Sequence, residues 1–497
     1  MFNSYFAVIQ ERKEYLKMKN FKKTIAGVSA LSMAMSLAAC GGSAEEQTEA
    51  VTQETTTQAT VEVNTATLAE NDQQTLDDVA ATNLRDIELE NKTIKWLAHY
   101  DINPSGDGKS ESVALNLFKS KYGGEVKYYP TTWNSRYSDL STSVLGGEGI
   151  DFFPCDTAAL PKGVINGMFQ PIDEYIDMDS PLWTDMKPAM EIYNFNGRHY
   201  ELVNSVSAEQ IVIYNKQTIE ENGFDDPWEL YKNGEWNWDT FTKMLEQFVD
   251  PDNDRYGLDG WFNEKALLLS AGVPSVSSVD GTLTVNLSDP TIEKAMNWSY
   301  DLYNKGLVFD LSLYDWNIQP QFMGEGKELF YIVGAWDVQA NPDTWATQIS
   351  PDNLGFAPVP SPAGSDPYQS ATLDGWVICK GAANPTGVAL FAECTRLANT
   401  NDEAIAISDQ KCRDDYRWSD ELIARNKEIN ELAQKYPVVD LATGVSSDVA
   451  SLTTDGGSEI GLRAAFHGYD WATTRDSISD VVTMLVQEAD DQIKAIG

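Results

Sequence analysis

Hydrophobic and polar positions follow two alternating periods along the body of this chain. Residues 93–98 (Thr-Ile-Lys-Trp-Leu-Ala) alternate and then run apolar like a strand, and residues 112–122 carry apolar side chains at helical spacing. The same grammar repeats: a strand at 126–129, a helix at about 134–145, a strand at 150–153, and a short helix ending near Gly167. Strands alternating with helices predict a largely parallel sheet covered on both faces. A further strand is expected at 210–216, after which the texture turns helical and tryptophan-rich through Trp228, Trp236, Trp238 and Trp261, as a second lobe would. A strand reappears at 373–378. Asn384-Pro385-Thr386 then opens a helix whose amphipathic body runs over 387–398, returning the chain to the first lobe. Residues 402–497 are mostly helical in pattern, and there is no internal repeat. The expected fold is α/β with two hinge-connected lobes, one from 89–210 and 370–402, the other from 211–369 and 403–497. The crossings are expected near 209–213 and 373–377.

The N-terminal stretch has neither period. Between Gly41 and Asp86 the chain is Thr, Glu, Gln and Ala with few large side chains, which cannot offset the entropy of ordering, so 40–88 is expected to be a disordered tether. Ahead of it, Lys17, Lys19, Lys22 and Lys23 precede an apolar run at 24–39. That run holds roughly 16 apolar or small residues, short of the about 20 a membrane span needs. Leu37-Ala38-Ala39-Cys40, followed by Gly41 and Gly42, resembles a bacterial lipobox, which implies a signal peptide over 1–39 and an acylated Cys40. The mature protein is then held at the outer face of the bacterial cytoplasmic membrane.

The 497 residues carry a formal charge of −40. Residues 1–39 hold six Lys or Arg against two Glu, a surplus of four, so their removal takes the chain to −44. Such a surface repels phosphate backbones, which argues against nucleic acid. Besides Cys40 there are Cys155, Cys379, Cys394 and Cys412, without a C-x-x-C pair. They read as small buried hydrophobes, with a Cys394–Cys412 bridge as the competing idea. His99, His199 and His467 have no zinc-ligand spacing, and no metal or cofactor is expected. Asp250-Pro-Asp-Asn-Asp254 starts like a calcium loop, but Arg255 and Trp261 occupy the positions that need Gly and Glu, so a solvated turn is favoured.

Over nearly its whole mature length the chain resembles the extracellular solute-binding proteins of bacterial ABC importers, the sugar-binding ones in particular. The resemblance rests on the lipobox and tether, Leu145-Gly-Gly-Glu-Gly-Ile-Asp-Phe-Phe153, Phe169-Gln-Pro-Ile-Asp173, Ile213-Tyr-Asn-Lys216 and Trp236-Asn-Trp-Asp239. Phe322-Met-Gly-Glu-Gly-Lys327 leading to Gly334-Ala-Trp336, and Gly355-Phe-Ala-Pro-Val-Pro360, complete the set. Ile150, where the family often has Pro, and Pro154-Cys155 depart from the pattern. The resemblance implies a periplasmic-binding-protein-like fold with solute between the lobes, ABC permease subunits as partners, and a monomer. It also gives Trp336 the position of an aromatic that stacks on sugar.

Sugar recognition needs aromatic faces for C–H surfaces and carboxylates for hydroxyl edges. Loops after the carboxyl ends of strands are where open α/β sheets bind ligands. Asp101, Trp133 and Asp156 follow the first three strands, and Glu209, Asp374 and Trp376 lie on the crossings. With Trp336 these are the candidate ligand residues; Trp261 and Trp316 are weaker ones. The competing classes are a surface-tethered glycoside hydrolase, for which the sequence holds no nucleophile-elbow, H-E-x-x-H or P-loop motif, and a glycan-binding adhesin without a transporter.

Overall fold

The structure, a computed structural model, describes residues 68–104, 111–261, 263–309, 320–453 and 468–496. Segment 1–39, Cys40, Trp316 and His467 lie outside the described residues. In chain order the strands are β1 (Thr93–Ala98), β2 (Glu125–Pro130), β3 (Phe152–Pro154), β4 (Phe169–Gln170), β5 (Asn194–Phe195), β6 (Arg198–His199), β7 (Glu201–Ala208) and β8 (Ile211–Asn215). There follow β9 (Tyr256–Asp259), β10 (Val276–Val279), β11 (Thr282–Val285), β12 (Glu328–Val333), β13 (Leu354–Ala357), β14 (Gln369–Cys379) and β15 (Pro437–Val438).

The first sheet has the order β15-β14-β3-β1-β2, with β4 and β7 also on β14. β1 lies between β2 and β3, parallel to both, with Ala98 opposite Pro130 and Trp96 opposite Phe152. Its apolar residues are buried because helices Val113–Tyr122 and Pro385–Thr400 cover the sheet, with the Phe118 and Phe391 rings 5.3 Å apart. Asn384 caps the second helix by accepting from Gly387 N at 2.8 Å, and its amide donates to Asn91 O at 2.6 Å, tying helix to sheet. The sheet is less parallel than the alternation of strands and helices predicts, since β14 runs antiparallel to β3, β4 and β7. A strand that returns from another lobe enters from the far end, and local periodicity carries no direction.

The second sheet is β13-β8-β12-β9, with β12 buried along its whole length. Only two residues separate β7 from β8, and the return passage runs from β13 to β14 through residues 358–368. The second crossing therefore precedes the expected 373–377, which lies within the first sheet paired to β7 and β3. Gln369 pins the passage: its side chain accepts from Val359 N at 3.0 Å and donates to Val359 O at 3.1 Å.

Two boundaries differ from the sequence expectation. The tether ends earlier than residue 88, because Glu70–Asn83 is a helix with Leu76 and Ala80 buried on Val113–Tyr122. Gln73 and Asn116 exchange side-chain hydrogen bonds there at 3.1 and 2.9 Å. Two apolar positions four apart suffice when a neighbouring helix offers a face, which composition does not reveal. Nor does everything after residue 402 belong to the second lobe. Helix Asp402–Tyr416 packs on Glu70–Asn83 and Pro385–Thr400 as well as on Trp336–Ala340, and helix Trp471–Lys494 packs on β11 and on Lys162–Ile165. Helix Asp420–Lys435 packs on β7 and β14 of the first sheet and on β13 of the second, so a C-terminal helix straps both sheets.

Among the described residues no helix is long and apolar enough to cross a membrane. All four described cysteines are free thiols, so Cys394 and Cys412 are not bridged. The Asp250–Asp254 segment is a turn in which Asp250 accepts from Asn253 at 2.7 Å and from Arg255 at 3.3 Å, and no group of three metal-ligating side chains occurs among the described residues.

Candidate functional site

The candidate residues gather at the C-terminal edges of the two sheets. After β1 the chain turns through His99, Tyr100 and Asp101, a turn held by the Trp96 indole donating to Tyr100 O at 3.0 Å. Asp101 stays within this turn, accepting from the Asn103 backbone and amide at 2.9 and 2.8 Å. After β2 stands Trp133, 54% exposed, with the His99 ring edge-on at 5.0 Å. The Arg136 guanidinium lies 3.6 Å over the Trp133 ring and donates from Nε to Asp156 Oδ2 at 2.7 Å. Asp156 also accepts from the Tyr137 hydroxyl and from Ala158 N. Its role is thereby set: it orients Arg136, which backs the exposed indole. Burial and then the Arg136 charge lower the His99 pKa, which keeps the imidazole neutral at pH 7.

Asp374 completes this edge. β3 ends at Pro154 opposite Trp376, so Asp374 and Gly375 lie just past the end of β3, level with Cys155 and Asp156, while still paired with β7. A register shift in the pairing with β7 falls between Asp374 and Gly375. The Asp374 carboxylate accepts from Ser207 Oγ at 2.5 Å and Ser205 Oγ at 3.4 Å, both on β7. Burial outweighs those bonds and pushes its pKa up to about 6. Tyr100 is close by: burial, and then the Asp374 and Asp156 carboxylates, raise its phenol. Behind Asp374 sits Glu201, 1% exposed, its carboxyl filling the space a side chain at Gly375 would need. Burial pushes Glu201 well above the usual carboxylate range. Trp376 turns the other way, stacked on Phe391 at 4.7 Å and 4° and edge-on to Trp96 and Phe152, as a partly buried member of the core.

At the second sheet, the parallel strands β9 and β12 are each followed by a glycine and then a tryptophan, Gly260-Trp261 and Gly334-Ala-Trp336. The two indoles stack with centroids 5.8 Å apart and planes at 27°. Trp336 is 46% exposed, and its indole folds back over Gly334, where a Cβ would collide with it and with Glu209 O. Glu209 lies in the crossing itself. It receives Lys265 Nζ at 2.8 Å and Ser370 Oγ at 2.6 Å. Burial opposes its ionisation, yet the Lys265 ammonium and these hydrogen bonds hold its pKa below the ordinary value. Ser207, Glu209 and Gly334 thus make one continuous run from the first edge to the second.

Of the seven residues chosen from sequence, Trp133, Asp156 and Asp374 stand on the first edge, Glu209 at the crossing and Trp336 on the second edge. Asp101 is committed to its own turn and Trp376 to the core. Sequence reasoning missed Tyr100, Arg136, Ser207 and Lys265. Arg136 carried a readable signal, lying three residues after Trp133 at the start of a helix; Lys265 carried none, because its partner is 56 positions away.

The model of the bacterial extracellular solute-binding protein family matches residues 103–394, more than half of the chain. The maltotriose-binding protein of Pyrococcus abyssi is 26% identical over 226 residues, a stretch covering 44% of each chain. The chain thus spans less than half of that relative's length. An ABC substrate-binding protein from Listeria monocytogenes in complex with cycloalternan superposes with a TM-score of 0.57 at 15% identity, over 82% of this chain and 99% of that one. The extracellular solute-binding protein from Staphylococcus aureus in complex with maltose gives 0.55 at 12% identity, over 80% and 99%. These likenesses establish the two-lobed α/β fold.

Proposed function

This chain belongs to the bacterial extracellular solute-binding protein family, and from that premise we propose that it captures a sugar or oligosaccharide between its lobes and hands it, unchanged, to an ABC permease. It does so as a monomer tethered through an acylated Cys40. The observation that carries this reading is the exposure of Trp133 and Trp336. They are the exposed tryptophans among the described residues, and one follows a strand of each sheet. Indole faces that remain in water are available to the C–H faces of sugar rings, while Tyr100, Asp374 and Ser207 offer hydrogen-bonding partners for hydroxyls. The relatives that bind maltotriose, cycloalternan and maltose support the same class.

Binding couples to motion through the crossings. A ligand touching both edges favours the state in which they approach, by its differential affinity for that state, and the permease reads the closed form. No bond in the ligand is made or broken.

A thermal-shift screen against mono- and oligosaccharides tests the reading. A bound sugar at 100 times its Kd adds about 2.7 kcal/mol to the folded state, a clear rise in Tm. Trp133→Ala and Trp336→Ala are each expected to weaken binding about 3- to 10-fold, the worth of one aromatic contact. A screen in which no sugar raises Tm refutes the proposal, and so does recovery of a cleaved sugar.

A further inference from the structure

We infer that the site is built for a neutral or amino-bearing sugar and rejects sugars that carry a carboxylate or phosphate, with Asp374 as the residue that sets this preference. The inference rests on the sugar-binding reading above and narrows its substrate class.

It follows from where each charge at the edge is spent. Arg136 is the cation of the first edge, and it is committed to Asp156 at 2.7 Å and to the face of Trp133 at 3.6 Å. Lys265 is the cation at the crossing, and it is committed to Glu209 at 2.8 Å. His99 is neutral. Each cation is thus cancelled by its own carboxylate, with side chains held in place by burial. An anionic ligand would have to break one of these pairs to gain a counter-charge, leaving a carboxylate desolvated. Asp374 is different. Its partners are the Ser207 and Ser205 hydroxyls, and among the described residues no cation pairs with it.

Two serine donors satisfy part of a carboxylate that has about four acceptor positions. The rest is open to donors on the ligand, which sugar hydroxyls and ammonium groups supply and carboxylate or phosphate groups do not. Half-buried between Tyr100 and Ser207, the charge is screened by solvent far less than one on the outer surface, so a ligand anion placed there meets strong like-charge repulsion. A carboxylate kept ionised at pH 7.5 against the cost of burial, without a cation to steady it, is what a site uses to select for donors.

Matched ligand sets test this. Each neutral oligosaccharide that shifts Tm in the screen is compared by calorimetry, at pH 7.5, with its C6-oxidised uronate and its 6-amino-6-deoxy analogue. The uronate is expected to bind at least 10-fold more weakly than the neutral sugar, and the amine equally or several-fold more tightly. In Asp374→Asn the uronate gap is expected to shrink below threefold and the advantage of the amine to vanish. Because the whole chain is acidic, Glu488→Gln on the C-terminal helix serves as an equal change of charge outside the site and is expected to leave the gap intact. Ser207→Ala, which removes a donor and keeps the charge, is expected to preserve it too. Should Asp374→Asn fail to fold, the ligand series on the unmodified protein still decides. A uronate within threefold of the neutral sugar, or a gap unmoved by Asp374→Asn, overturns the inference while leaving sugar binding intact. If no sugar of any charge binds, the functional reading falls and takes the inference with it.

Discussion

At the residue scale, Asp374 holds a carboxylate where burial disfavours it. Its pKa of about 6 lies above the roughly 3.9 of an unfolded aspartate, so between pH 4 and 6 the folded chain binds the extra proton. Stability therefore falls as pH rises through that window, by about 3 kcal/mol for a shift of about two units. Asp374→Asn removes this dependence. Denaturant unfolding is expected to show the variant about 1–3 kcal/mol more stable than the parent at pH 7.5 and indistinguishable from it at pH 4. Equal destabilisation at both values would mean that the Ser207 bond, rather than the charge, governs the site. Comparing variant with parent cancels the slopes of buried acids that do not interact with Asp374, such as Asp151, raised by burial. Sequence placed Asp374 near the site but gave no hint of its charge state, which depends on the register of β14 against β3.

At the element scale, the crossing between β7 and β8 is two residues long and is locked by one ion pair. Glu209 belongs to the crossing, Ser370 to the foot of β14, and Lys265 to the helix Asn263–Leu269 on the second sheet. With 9% of the Lys265 side chain and 20% of the Glu209 side chain exposed, removing either partner strands a charge. Glu209→Gln is expected to cost about 2–3 kcal/mol by urea denaturation, and the double variant with Lys265→Met less than the sum of the two singles. Strict additivity would show that the two groups do not interact. β8 was legible here because its first four residues, Ile211 to Tyr214, are apolar. The return crossing was misplaced because residues 373–377 look like any strand, and only pairing with β7 shows that the chain has already arrived in the first sheet.

For the whole molecule, the C-terminal third decides how the lobes are held. Helix Asp420–Lys435 touches both sheets, and the helix before it, Asp402–Tyr416, carries Cys412, the least buried of the four described thiols. Native-state alkylation is expected to modify Cys412 first, with Cys155, Cys379 and Cys394 reacting only on unfolding, as peptide mapping would record. Burial raises the pKa of all four, so even Cys412 reacts slowly at neutral pH. Fast labelling of Cys394 would mean that the helix Pro385–Thr400 does not seal the first sheet.

The sequence by itself determined the α/β class, the presence of two lobes, the family, and five of the residues that stand at the two edges and their crossing. The class and the lobes follow from period and burial preference, Trp133, Asp156, Glu209 and Asp374 from position at strand ends and crossings, and the family and Trp336 from the resemblance of short motifs, all properties of a few adjacent residues. Tertiary structure alone decided that Asp156 serves Arg136, that Asp101 and Trp376 turn away, that Lys265 answers Glu209, and that Glu70–Asn83 docks as a helix. Each of those outcomes is a contact between residues far apart in the chain, set by strand register and helix docking, and a local pattern holds no record of its distant partner.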